Sequence, residues 1–113
     1  MHEMSLAEGI LQLIEDAARR QAFSTVRTVW LEIGELAGVD PQALVFCFDA
    51  VVRGSVAQGA RIEILRVPGA GRCLDCASTL PMTEAFGECP LCGSHRLQIT
   101  EGSQMRVKEL EVT

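Results

Sequence analysis

The chain has no tyrosine and one tryptophan, and aromatic residues make up 4% of its 113 positions. An interleaved stripe of basic and aromatic side chains, the usual surface for stacking nucleic-acid bases, is missing. Basic residues are short as well. Ten Lys+Arg stand against fifteen Asp+Glu, a formal charge of −5. Such an acidic balance argues against nucleic acid as the main partner. No run approaches the roughly 18 apolar residues of a membrane span. The N-terminus has no basic region followed by an apolar run of signal length. No Ser/His/Asp set, phosphate loop or pair of catalytic carboxylates stands out, so the chain is not read as an enzyme.

What is present is more specific. Four of the five cysteines form two matched pairs, Cys73-Leu-Asp-Cys76 and Cys89-Pro-Leu-Cys92, with twelve residues between them. Two such knuckles can set four thiolates tetrahedrally around one ion. Zinc suits that shell because its filled d shell imposes no other geometry. Four protein ligands leave no open position for water, so the site reads as structural. Two disulfides, or four ordinary buried cysteines, are the bland alternatives, and rubredoxin-like iron is the chemical rival. A redox enzyme is a further reading, but it needs one exposed pair rather than four sequestered thiolates. Pro90 stiffens the second knuckle, and Gly93 allows a tight turn that points N–H groups at the sulfurs. A zinc tetrathiolate adds a further −2, from four thiolates and one divalent cation. His95 reads as an exposed loop residue, with a donor to one of the thiolates or a replacement ligand as the alternatives. Cys47, between Phe46 and Phe48, reads as a small packing residue. Cysteines in metal spacing fit a reducing compartment, and the chain is expected to be cytoplasmic.

Apolar residues make up 48% of the chain, enough for a core of modest size. Ser5-Leu-Ala-Glu8 reads as a capping box. Leu6, Ile10, Leu13, Ile14 and Ala17 follow with helical spacing, and Arg19 and Arg20 suit the helix end. Residues 25–33 read as a strand, with Val29, Leu31 and Ile33 alternating against Thr28, Trp30 and Glu32. Trp30 either packs under a helix or marks a partner surface. Asp40-Pro41 starts a second helix, with Leu44, Val45, Phe48, Val51 and Val52 as its apolar face. A second strand is expected over 60–67, a short one over 97–100 and a stronger one over 105–112. The last does not alternate strictly, which suggests a bulge or a strand facing apolar groups on both sides. The fold class is α+β: a small mixed sheet of about three strands with two helices, plus an inserted zinc-ribbon-like module. The expected domains are 1–68 with 96–113 for the α/β part and 69–95 for the zinc module. The acidic pairs Glu15-Asp16 and Glu109/Glu111 read as solvated faces.

A chain that opens Met1-His2-Glu3, runs Leu-Glu-Ile-Gly-Glu-Leu-Ala-Gly-Val over 31–39 and Phe-Cys-Phe-Asp-Ala-Val over 46–51 resembles the HypA/HybF family. The paired knuckles and the ending Val-Lys-Glu-Leu-Glu-Val over 107–112 fit the same family. The resemblance covers essentially the whole chain. It implies a nickel-insertion accessory factor for [NiFe]-hydrogenase, with a nickel site at the extreme N-terminus and structural zinc on Cys73, Cys76, Cys89 and Cys92. It also implies two partners, a GTPase of the same maturation pathway and the immature hydrogenase large subunit. The residues make the nickel site chemically coherent. The Met1 α-amine, the His2 amide nitrogen and the His2 Nδ1 can close two fused chelate rings. The Glu3 amide nitrogen or carboxylate can supply a fourth donor. Nitrogen-rich planar coordination suits Ni(II) and Cu(II). The bland alternatives are an ordinary exposed His2 and a Glu3 that favours the helix dipole.

Overall fold

The computed structural model describes residues 2–113. Met1, expected to supply an α-amine, lies outside the described residues.

Helix α1 spans Glu3–Gln21, so it starts before the expected capping box. Its N-cap is His2, which makes no side-chain capping hydrogen bond, while Ser5 and Glu8 sit inside the helix and exposed. The reason is Glu3. The positive end of the helix dipole favours its carboxylate, and Glu3 Oε2 accepts the Asp40 N–H at 3.2 Å. That contact fixes the first turn at Glu3, and the His2 carbonyl accepts the Leu6 N–H at 2.9 Å. The buried stripe is Glu3, Ala7, Ile10, Ile14 and Ala17, at three- and four-residue spacing. Leu13, expected on that face, is 47% exposed, and Ala7 takes its place. Ala22 ends the helix in the left-handed conformation, with its N–H on the Ala18 carbonyl.

Strand β1, Val26–Gly34, buries Val29, Leu31 and Ile33 completely. Thr28 on the other face is also buried, its hydroxyl donating to Glu111 Oε1 at 2.8 Å. Trp30 and Glu32 on that face are half-buried. Helix α2, Pro41–Val51, starts as expected: Asp40 Oδ1 accepts the Gln42 and Ala43 N–H groups at 3.0 and 3.3 Å. Leu44, Phe48 and Val52 are buried, whereas Val45 is exposed and Val51 half-buried, so the apolar face is narrower than expected. Strand β2 spans Arg61–Val67.

Strands β3, Ala70–Cys73, and β4, Thr79–Pro81, follow, then β5, Leu97–Glu101, and β6, Met105–Val112. One sheet has the order β2-β1-β6. Thr113 N–H bonds to the Thr25 carbonyl and Gly34 N–H to the Gln104 carbonyl, so β6 runs against β1. Glu35 N–H bonds to the Val67 carbonyl, so β2 runs alongside β1, and the sheet is mixed. The second sheet, β4-β3-β5, is antiparallel, pairing Gly71 with Leu80 and Ile99. The expected strand at 97–100 exists, but it belongs to this second sheet. Neither β3 nor β4 was expected, because four- and three-residue strands carry too little alternation to read.

The chain divides into two compact units. The first comprises the chain up to Leu31, Val39–Ile64 and Val107–Thr113; in it α1 packs on α2. The second comprises Glu32–Gly38 and Leu65–Arg106, and residues 69–95 lie within it. Its core is small: Cys73, Leu80, Met82 and Cys89, with Leu36, Leu97 and Ile99 packed against them. Three glycines of this unit meet backbone to backbone. A Cβ on Gly34 would lie 2.0 Å from the Gly102 carbonyl oxygen. One on Gly69 would lie 2.3 Å from the Met82 carbonyl oxygen, and one on Gly102 would lie 2.7 Å from the Gly69 Cα.

Candidate metal centres

Strand β3 ends on Cys73, which delivers the first thiol directly from the sheet. The two knuckles then repeat one hydrogen-bond pattern. In the first, Ala77 N–H bonds to the Cys73 carbonyl at 2.9 Å and Cys73 N–H to the Ser78 carbonyl at 3.0 Å. In the second, Gly93 N–H bonds to the Cys89 carbonyl at 2.8 Å and Cys89 N–H to the Ser94 carbonyl at 2.7 Å. Ala77 and Gly93 both have positive φ, 62° and 76°, which closes each turn. Among the N–H groups aimed at sulfur are those of Cys76, 3.5 Å from Cys73 Sγ, and Leu91, 3.4 Å from Cys89 Sγ. Gly93 thus closes its turn without donating to a thiol.

The four sulfurs lie within 4.8 Å of one another. Cys73 and Cys92 approach to 3.5 Å, Cys76 and Cys89 to 3.8 Å. A disulfide needs about 2.05 Å, and all five cysteines are free. A tetrahedron with metal–sulfur bonds of about 2.3 Å has edges of about 3.8 Å, so the quartet fits a zinc-sized ion. Cys73 and Cys89 are buried, while Cys76 and Cys92 face solvent. The thiols compete for charge. Hydrogen bonds from the Ser78 side chain and backbone hold Cys76 down to about 6. The Cys76 N–H likewise lowers Cys73. At Cys92 the Ser94 N–H favours the thiolate, but crowding against Cys73, burial and the other sulfurs push the thiol up to about 12. Four thiolates cannot share this space without a cation, which is the chemistry of a metal site.

Around the quartet, Asp75 accepts from the Ser94 hydroxyl and from Arg96, and these contacts, Ser94 first, hold its carboxyl below the usual range. These three residues were not singled out by sequence reasoning. His95 is exposed, with Nε2 4.0 Å from Glu88. Cys47 is half-buried on α2 and lies outside the cluster.

At the chain opening, His2 is exposed and Glu3 is 4% exposed. Glu3 Oε2 holds the Asp40 N–H, and that bond is the main reason its carboxyl lies below the ordinary range. Glu3 Oε1 is buried with no partner among the described residues. The amide groups that begin a helix have no partner within it, so those of His2 and Glu3 are not committed to the helix ladder.

A family model described as "Hydrogenase/urease nickel incorporation, metallochaperone, hypA" matches residues 1–112. The chain is 68% identical over 112 residues to the hydrogenase maturation factor HypA of Albidiferax ferrireducens, covering 99% of each chain. It is 62% identical, with the same coverage, to that of Dechloromonas aromatica. Among solved structures, the solution structure of the Ni metallochaperone HypA from Helicobacter pylori matches with a TM-score of 0.73 at 28% identity, over 99% of this chain and 97% of that one.

Proposed function

Matched over residues 1–112, the chain belongs to the HypA family, and from that premise we propose that it carries nickel to the immature large subunit of a [NiFe]-hydrogenase. It acts as a metallochaperone rather than a catalyst. The reading favours hydrogenase because the relatives are hydrogenase maturation factors.

The observation that supports it most is the opening turn. His2 is exposed at the N-cap of α1, beside amides outside the helix ladder and a buried Glu3 carboxylate oxygen that lacks a partner among the described residues. Nickel is held by the Met1 α-amine, the His2 amide nitrogen and Nδ1, and Glu3. Because the Glu3 side chain is buried and one of its carboxylate oxygens is engaged by Asp40, its amide nitrogen is the better donor. The site is made from consecutive residues around the exposed His2, so the ion can leave as readily as it binds. Cys73, Cys76, Cys89 and Cys92 hold the resident zinc, which supplies folding energy to its own unit. A nucleotide-hydrolysing step, if delivery needs one, comes from the GTPase partner. Among the described residues no helix is long and apolar enough to cross a membrane. The proposed place of action is the cytoplasm, where cysteines in metal spacing stay reduced.

The test is a nickel titration of untagged protein beside His2→Ala, with hydrogenase activity measured in cells at limiting and at excess nickel. His2→Ala should lose the site and the delivery at limiting nickel, with partial rescue at excess. Zinc content and melting temperature should stay within the small change expected for an exposed residue. Full hydrogenase activity at limiting nickel would refute the reading.

A further inference from the structure

Two knuckles joined only by a shared ion would separate when it left. These two are also joined by side chains that are not ligands. Asp75, between Cys73 and Cys76, accepts a hydrogen bond from the Ser94 hydroxyl and an ion-paired hydrogen bond from Arg96 Nη1 at 2.6 Å. Ser94 Oγ in turn accepts the Arg96 N–H at 3.0 Å. The backbone adds a further tie, from Leu74 N–H to the Arg96 carbonyl at 2.9 Å. Ser94 therefore closes its own knuckle through its carbonyl and grips the other through its hydroxyl.

This bridge fixes how one pair of thiols is turned against the other. Zinc accepts a tetrahedral quartet, whereas Ni(II) favours a planar one. A planar arrangement requires the Cys73–Cys76 pair to rotate against the Cys89–Cys92 pair, and Asp75 cannot follow that rotation while it holds both Ser94 and Arg96. We propose that Asp75, Ser94 and Arg96 form a metal-independent clasp that locks the two knuckles at tetrahedral spacing and so keeps nickel out of the cysteine site. They are positioning residues. A protein that handles nickel needs such a device, because its own cysteines otherwise compete for the cargo. The proposal rests on the nickel-carrier reading for the identity of the competing ion, whereas zinc retention by the clasp does not.

The experiment uses the zinc-loaded full chain in a His2→Ala background, so that only the cysteine site can answer. Asp75→Ala, Asp75→Asn and Ser94→Ala are compared with the parent and with Gln98→Ala, an exposed position on β5. Zinc release to a chromogenic chelator is followed first. Nickel is then added in excess and thiolate-to-nickel charge-transfer absorption is recorded. Asp75→Ala and Ser94→Ala should release zinc about tenfold faster or more, the scale on which partners of metal ligands act, and should develop the nickel–thiolate band. Asp75→Asn, which still accepts from Ser94 but loses the charge facing Arg96, should fall between. Gln98→Ala should match the parent. Unchanged zinc release in Asp75→Ala overturns the clasp, and faster release with no nickel band overturns nickel exclusion. If Asp75→Ala does not fold, Ser94→Ala decides, since it removes one hydroxyl and leaves the ion pair. A His2-intact protein that fails to bind nickel at its N-terminus defeats the carrier reading and leaves the zinc-release result standing.

Discussion

Glu3 shows how much one residue can hide from a sequence. As a letter it reads as an acid at a helix start, or as a metal donor. In the fold it is also the buried pin between the first turn of α1 and the Asp40 amide, 37 positions away. No local pattern announces a contact at that separation. The pin is pH-dependent with a definite sign. The carboxyl is held below its ordinary value, mainly by the Asp40 N–H, so ionised Glu3 adds stability that is fully present above the unfolded value of about 4.3. That stability is lost as pH falls through the lowered value. Glu3→Gln should therefore melt below wild type at pH 7, and the gap should close on descent into acid. Thermal melts from pH 7 to 3, followed by the fluorescence of Trp30, check this, and parallel profiles for the two proteins would show that the carboxylate is no pin. The proposed nickel donors are consecutive residues, a kind of site that a sequence can suggest. The clasp is not of that kind, since Asp75, Ser94 and Arg96 meet only after both knuckles have turned.

Elements were legible where they carried their own punctuation. Asp40-Pro41 opened α2 where expected, and strict alternation gave β1. The capping box misled because Ser5 and Glu8 match a local signal that a tertiary contact two residues upstream overrides. Both helix and knuckle ends also show where the chain accepts a left-handed residue with a side chain. Ala22 closes α1 at φ 57° and Ala77 closes the first knuckle at φ 62°, whereas the second knuckle has Gly93 there. An L-residue pays about 1–2 kcal/mol for that conformation. Ala22→Gly and Ala77→Gly should each stabilise their element by about 1 kcal/mol. For Ala22→Gly the readout is the thermal midpoint, and for Ala77→Gly it is slower zinc loss to a chelator. Phe48, 1% exposed on α2, should cost about 3–5 kcal/mol when cut to Ala, a loss that chemical denaturation would register. A midpoint shift near zero would mean that α2 is not held through this side chain.

For the whole molecule, the two units differ in how they are held. The first has an extended apolar core drawn from both helices and β1, while the second is built around a cluster of four buried side chains, two of them cysteines. So few apolar groups cannot hold a fold, and metal binding free energy is expected to make up the difference. Cys89→Ala, or exhaustive chelation, should unfold the second unit and leave the Trp30 signal of the first largely intact. Stoichiometric zinc in a native-like Cys89→Ala protein would contradict this. Nickel, if held on the proposed N-terminal chelate, should pass to a competing chelator far faster than zinc does, which paired release assays on one sample would measure. The general architecture, a mixed sheet with two helices and a cysteine quartet, could be read from periodicity and spacing. The small second sheet could not, since its strands are defined by pairing across a loop rather than by their own pattern. The contact of Gly34, Gly69 and Gly102 has a consequence for how this chain can vary. Each position is filled by the backbone of another segment, so one added methyl group displaces main chain, and no compensating change of a neighbouring side chain can restore the space. A saturation library selected for zinc retention should return many amino acids along the outer face of α1 and almost none but glycine at these three sites.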